Sequence, residues 1–447
     1  MPNSIQTTSK NESICPNCHS QGTYEKSLYL NKPKGKQAKK GIHLLIYSLF
    51  RFSFHSPFPL SLSLSLSLSH THTHTDTHIP LSLSHMENFV SRITMLNVLL
   101  GLFLTLSGFH FPKQVEALGI NYGQVGNNLP PPERVLDLLH SLRLTKARIY
   151  DTNPQILTAF ANSNIELIVT VENQMLPTLT DPNQAFQWVA THIKPYFPAT
   201  NITGIAVGNE VFTGGDTSLV SYLVPALVSI HNALVRFGLD QFIRVSTPSS
   251  LAVLEESFPP SAGRFRVELT RIMPQFLQFL SATRAPFWMN AYPYFAYKSD
   301  PNNISLDYVL FNPNTGVVDP YTNLHYDNML YAQVDAIIFA MAKMGYGGVE
   351  VGVSETGWPS RGDPNENGAT LENAAVYNGN LLRRQVRREG TPLRPQTGLE
   401  VYMFALFNED MKPGPTSERN YGLLEPDGTM AYNIGLYVDS RTNEVKP

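Results

Sequence analysis

Two glutamates stand at the ends of short apolar runs, each in a setting suited to proton and nucleophile chemistry. Glu210 closes Gly204-Ile205-Ala206-Val207-Gly208-Asn209-Glu210, and Glu355 lies in Val353-Ser354-Glu355-Thr356-Gly357-Trp358-Pro359-Ser360, after the apolar stretch 349–353. Paired carboxylates with unlike surroundings are what cleavage of a glycosidic bond requires: one protonates the departing oxygen, and the other attacks the anomeric carbon or activates water. Glu210 needs a raised pKa for the first role, from burial and from the neighbouring charge, whereas Glu355 must stay ionised to attack. A gap of about 5–5.5 Å between them gives retention through a covalent intermediate, and about 6.5–9.5 Å admits a water and inverts. Asn209 sets an amide beside Glu210, within reach of a sugar 2-hydroxyl. Either glutamate alone would equally suit a surface ion pair; the two contexts together favour catalysis.

Converging such a pair needs a scaffold that presents strand ends to one face. Strand-like runs occur at 118–122, 147–150, 165–171, 202–207, 242–246, 287–291, 349–353 and 401–407, with helical patterns between most of them at 131–142, 183–196, 219–237, 273–280, 329–344 and 371–388. About eight such alternations predict a (β/α)8 TIM barrel, whose reacting groups project from the C-terminal ends of its strands. Glu210 then ends the fourth strand and Glu355 the seventh, on opposite sides of the mouth. The alternative, a doubly wound open sheet, usually begins with a glycine-rich phosphate turn, a pattern that Gly119-Ile120-Asn121-Tyr122-Gly123 lacks. Residues 293–328, rich in Tyr, Asn, Asp and Pro and without helical periodicity, read as an elaborated loop or subdomain after strand six.

The flanks are of another kind. Ser alternates with Leu over 61–69 and His with Thr over 70–75, as CT and CA dinucleotide repeats would encode. Residues 1–85 therefore read as a translated leader or a disordered extension, with the natural start at Met86. Both cysteines, Cys15 and Cys18, fall there, and one isolated pair cannot complete a tetrahedral metal site. Residues 86–117 have the order of a signal peptide: Arg92, an apolar run at 96–106, then Val115-Glu116-Ala117. The run is shorter than the span of about 20 residues that crosses a bilayer, and no second stretch of membrane length is expected. From Leu118 on, 23 Lys and Arg stand against 31 Asp and Glu, a net charge of −8 that argues against nucleic-acid binding. The expectation is a secreted, extracellular monomer without a membrane span in its mature part. Sequons at Asn201 and Asn303 are candidate glycosylation sites.

The motifs around the two glutamates resemble those of glycoside hydrolase family 17, which contains the plant endo-β-1,3-glucanases. The likeness continues through Gly119–Gly123, Arg148-Ile149-Tyr150-Asp151, Asn290-Ala291-Tyr292-Pro293-Tyr294-Phe295, Phe404-Ala405-Leu406-Phe407-Asn408-Glu409, Lys412-Pro413-Gly414 and Glu418-Arg419-Asn420-Tyr421-Gly422. It covers nearly all of 118–438. The resemblance implies a barrel catalytic domain over 118–447, a retaining mechanism, β-1,3-glucan as substrate, and neither metal nor cofactor. Glu210 matches the proton donor and Glu355 the nucleophile. Glu409, Lys412 and Glu418 match a charged cluster beside the nucleophile, where Lys412 is expected to hold Glu355 ionised or to belong to a structural ion-pair network. Tyr150, Tyr292, Tyr294, Phe295, Trp358 and Phe407 are expected to line or support the cleft. A glucanosyltransferase, a mixed-linkage glucanase and a non-catalytic glucan-binding protein would share these residues. Gly352 departs from the pattern, replacing a bulkier apolar residue just before the Ser-Glu pair, with a looser strand as the expected consequence.

Overall fold

The computed structural model describes residues 115–435, 437–439 and 444–446. The leader, its two cysteines and residues 86–114 of the expected signal lie outside them. Eight parallel strands close on themselves. In chain order they are Val115–Tyr122, Leu144–Ile149, Glu166–Val171, Ile202–Val207, the pair Arg244–Ser246 and Pro248–Ser250, Phe287–Asn290, Val351–Thr356 and Glu400–Met403. Each pairs with the next, and the eighth returns to the first through Leu118 opposite Val401. The fifth strand is split at Thr247: its first half pairs with the fourth strand and its second half with the sixth. Only the first half was legible as a strand, because Pro248 cannot donate to a ladder. Their continuous apolar character follows from position, since barrel strands are covered on both faces.

Glycine makes room inside the barrel. A Cβ on Gly119 would enter the ring of Tyr402, and one on Gly204 would touch Trp288. Trp288 and Tyr402 join Ile168 and Ala206 in a small interior cluster apart from the main core. Gly352 does not loosen its strand. It sits in regular register opposite Trp288 on one side and Glu400 on the other; the ladder becomes irregular only beyond Val353, where Ser354 and Glu355 are presented. Irregular pairing of this kind commonly re-aims a side chain beside an active site.

Seven helices cover the outside, after the first seven strands: Pro132–Ser141, Pro154–Ala159, Pro182–His192, Val220–Phe237, Met273–Thr283, Met329–Lys343 and Leu371–Val386. Their entries follow local chemistry. Proline occupies the first turn of four of them, and Asn153, Asp181, Asn328 and Thr370 accept backbone N–H groups as caps. The helical stretch Thr217–Phe237, which includes the helix Val220–Phe237, is long and apolar enough to cross a membrane by length and composition, contrary to expectation. Its Leu223, Val224, Leu227, Ile230 and Leu234 are instead buried in the core, as a barrel helix requires. After the eighth strand no helix of comparable length follows among the described residues. The tail returns through Tyr432 and Ile434 onto Leu371–Val386, where Asn378 donates to the Tyr432 hydroxyl at 2.7 Å. The segment after strand six is more ordered than its composition suggests. It holds the helices Pro293–Ser299 and Leu306–Val309 and a hairpin of Val317–Val318 with His325–Tyr326.

Candidate active site

The C-terminal strand ends frame a cavity of about 590 Å³ that contains both glutamates. Glu210 follows the fourth strand in a tight turn where Gly208 (φ 72°) and Glu210 itself (φ 54°) are left-handed. Such backbone is costly for a residue with a side chain and persists only where neighbours over-determine it. Here they do: the Asn209 N–H donates to Asn173 Oδ1 at 2.7 Å, Asn173 Nδ2 donates to the Asn209 carbonyl at 3.0 Å, and the Glu210 N–H donates to the Pro248 carbonyl at 2.9 Å.

Glu355 is 6% exposed and meets three donors. Its Oε1 accepts from Arg148 Nη1 at 2.7 Å and from the Tyr150 hydroxyl at 2.9 Å, and its Oε2 accepts from the Tyr292 hydroxyl at 2.8 Å. Burial, and then the Glu355 charge, holds both phenols far above their ordinary pKa, so both remain donors. Glu210 has poorer support. Asn290 Nδ2 donates to its Oε1 at 2.8 Å. Burial first, and the Glu355 charge second, raise its pKa; the Asn290 bond and Arg148 oppose the rise without cancelling it. Glu210 is thus pushed toward its protonated form, as a proton donor needs, while three donors converge on the Glu355 carboxylate.

Arg148 ties the halves together. Wholly buried, it pairs with Glu355 through Nη1 and donates through Nη2 to Asn209 Oδ1 at 2.8 Å, one residue from Glu210. Asn290 makes a second tie, since it holds Glu210 through Nδ2 and accepts from Ser354 Oγ at 2.8 Å. Asn121, behind both, donates to the Ser354 carbonyl at 3.0 Å. Neither Arg148 nor Asn290 was singled out as a site residue from sequence. The signal for Arg148 was present: a cation between the apolar Ala147 and Ile149, at the buried end of a strand, has to be paired. Replacing Tyr292 by Phe removes one of three donors to an ionised carboxylate and is expected to lower kcat/KM about 10–100-fold. Arg148→Lys, which cannot reach two acceptors in a fixed fork, is expected to cost at least as much in the same assay.

Of the residues expected in the cleft, Tyr150, Asn209, Tyr292, Phe295, Glu409, Lys412 and Glu418 line it with the two glutamates; Gln124, Asp151, Glu172, Phe404 and Tyr421 line it as well. Tyr294 and Trp358 do not, contrary to expectation; Phe407, expected to line or support the cleft, does not line it either. Trp358 is fully buried, donates to the Gly368 carbonyl at 2.7 Å, and packs on Tyr294 at 5.2 Å and Tyr377 at 5.5 Å between ring centres. Phe407 is buried against Tyr122. All three are core residues. Trp358→Ala is therefore expected to destabilise the fold by about 3–5 kcal/mol, measured as a shift in the denaturant midpoint. Lys412 takes the second of its two expected places, in an ion pair apart from Glu355. Its ammonium lies 3.5 Å from Glu409 Oε2 and 4.1 Å from the centre of the Phe404 ring. The cation on Glu355 is Arg148. Glu418 nearby has its pKa raised by burial, with Lys412 opposing. Among the described residues no group of three or more His, Cys, Asp or Glu is arranged to hold a metal ion.

The model for the glycosyl hydrolases family 17 matches residues 118–436. Glucan endo-1,3-beta-glucosidase 11 of Arabidopsis thaliana is 50% identical over 335 residues, covering 74% of this chain and 79% of the relative. Among solved structures, CJP38, a beta-1,3-glucanase and allergen of Cryptomeria japonica pollen, is similar at 44% identity and a TM-score of 0.69, covering 71% of this chain and 98% of that one. A plant beta-glucan endohydrolase is similar at 37% identity and a TM-score of 0.65, covering 70% and 98%.

Proposed function

The chain belongs to glycoside hydrolase family 17, and from that membership we propose a secreted endo-hydrolase of β-1,3-glucan that retains anomeric configuration, with Glu355 as nucleophile and Glu210 as acid and then base. The enzyme is a glucan endo-1,3-β-glucosidase. One observation carries the assignment of roles: three donors converge on Glu355, while Glu210 has one side-chain donor and a raised pKa.

The chemistry follows from that inequality. The Glu210 carboxyl gives its proton to the glycosidic oxygen as the C1–O bond breaks, and the Glu355 carboxylate bonds to C1 from the opposite face. Once Glu355 is esterified its charge is gone, and with it one of the causes that raise the Glu210 pKa. The group that was an acid in the first step then stays ionised, and so is available as the base. It takes a proton from water, the water oxygen attacks C1, and Glu355 departs as a carboxylate. Tyr150 and Tyr292 keep their hydroxyls on the Glu355 side, ready to reclaim the charge.

The alkaline limb of the kcat/KM pH profile follows ionisation of Glu210. Asn290 donates to its carboxylate and so favours the ionised form; Asn290→Ala is expected to move that limb to higher pH. An unchanged or lower limb would contradict the assignment. The choice of β-1,3-linked over mixed-linkage glucan is tested by product analysis on laminarin against lichenan. Faster cleavage of lichenan would overturn the substrate reading. Secretion is supported by the signal pattern at 86–117 and by the exposed sequons at Asn201 and Asn303; sequencing the N-terminus of exported protein is its check.

A further inference from the structure

A second cavity, about 420 Å³, opens at the other end of the barrel. Its lining residues come from strand starts: Glu166, Thr203, Arg244, Gly352 and Glu400. The volume lies within the range of small-molecule sites. Trp288 and Tyr402 border it from the barrel interior, both almost wholly buried. Trp288 is 3% exposed, yet its Nε1–H has no hydrogen-bond partner among the described residues. A buried donor left unpaired is costly and calls for an acceptor.

Gly352 creates the place for one. A Cβ at this position would lie 3.2 Å from Trp288 Cδ1, 3.6 Å from Trp288 Nε1 and 3.7 Å from Glu400 Oε2. The missing side chain therefore leaves a narrow space, tight for a methyl group, between a donor and a carboxylate acceptor. Lys146 takes the other Glu400 oxygen at 2.7 Å, which fixes the carboxylate, and also pairs with Glu166 at 3.3 Å. A group that both accepts and donates, such as a hydroxyl, fits between them.

The charges around the cavity select a neutral molecule. Glu166, Glu350 and Glu400 are balanced by Lys146, Arg244 and Arg394. Arg244 is engaged with the Arg284 carbonyl, and Arg394 with those of Gly347 and Val349. Neither guanidinium is set aside for an anion.

We propose that this cavity is a second binding site, for a neutral hydroxyl-bearing molecule of mono- or disaccharide size. One ligand hydroxyl accepts from Trp288 Nε1 and donates to Glu400 Oε2. The site is separate from the cleft and does not depend on the roles given to Glu210 and Glu355.

Glucose and laminaribiose, titrated into the whole enzyme carrying Glu355→Gln to prevent turnover, provide the test. The readout is the indole ¹H–¹⁵N signal of Trp288, identified by its loss in Trp288→Phe. The expected result is a saturable shift of that signal by at least one sugar, while the Trp188 signal stays in place. Adding Gly352→Ala, which puts a methyl group into the gap, or Glu400→Gln, which removes the carboxylate, should weaken the response about tenfold, the worth of one hydrogen bond. The second variant serves if the first does not fold. Gly352→Ala in the otherwise active enzyme should leave laminarin hydrolysis unchanged. No shift up to about 100 mM sugar, where even a millimolar site is filled, would mean that water alone occupies the cavity. A shift of equal affinity in the folded variants would place binding elsewhere. Either result overturns the proposal.

Discussion

Glu355→Gln is expected to reduce laminarin hydrolysis on the order of 10⁴-fold or more while leaving the fold intact, because in the proposed mechanism it removes the group that bonds to the anomeric carbon. The amide keeps the volume of the carboxylate but cannot neutralise Arg148, so the pair loses its charge balance; circular dichroism and the unfolding midpoint separate that cost from the loss of chemistry. The smaller Glu355→Ala leaves room for an external nucleophile. Azide supplied to it with an activated aryl β-laminaribioside should restore turnover and give the α-glycosyl azide. Retention of most activity in either variant would remove Glu355 from the mechanism.

Glu210→Ala is expected to behave differently, and the difference is the informative part. On laminarin, whose leaving group is a sugar hydroxyl, loss of the proton donor should cost about 10²–10⁴-fold. On a dinitrophenyl glycoside, whose leaving group needs no proton, formation of the glycosyl-enzyme should be nearly as fast as in the parent. Its breakdown, deprived of a base, should become limiting, so the intermediate accumulates. Azide should then speed turnover and yield the β-glycosyl azide, the opposite anomer from the Glu355 variant. Equal losses on both substrates would mean that Glu210 supports the structure of the site and moves no proton.

The two glutamates were legible because each is announced by its local setting: an apolar run, a turn, and a carboxylate at the strand's end. The eight strands were legible for the same reason, apart from the half that begins at Pro248. What surrounds the acids was harder to read, and strand geometry explains why. Residues beyond the seventh strand keep its alternation. Glu355 faces the mouth, whereas Thr356, bonded through its hydroxyl to Tyr377, and Trp358, packed on the same ring, face the helix layer. Adjacency to the nucleophile in sequence therefore put Trp358 on the wrong side. Past the sixth strand the period changes. Tyr292 and Phe295 are three apart at the start of the helix Pro293–Ser299 and line the cleft, while Tyr294 between them turns to Trp358. The charged cluster left Lys412 either on Glu355 or in an ion-pair network, and it pairs with Glu409. The partner of Glu355 is Arg148, three strands away around the ring, a contact set by the closure of the barrel rather than by any local pattern.

Trapping the intermediate tests the division of labour most directly. A 2-deoxy-2-fluoro-laminaribiosyl fluoride forms the glycosyl-enzyme faster than water can release it, and peptide mass mapping then finds the labelled residue. The adduct should sit on Glu355, in a one-to-one amount, and should fail to form in Glu355→Gln. A label on Glu210 or elsewhere, or an unlabelled enzyme that releases the α-anomer first, would contradict the account.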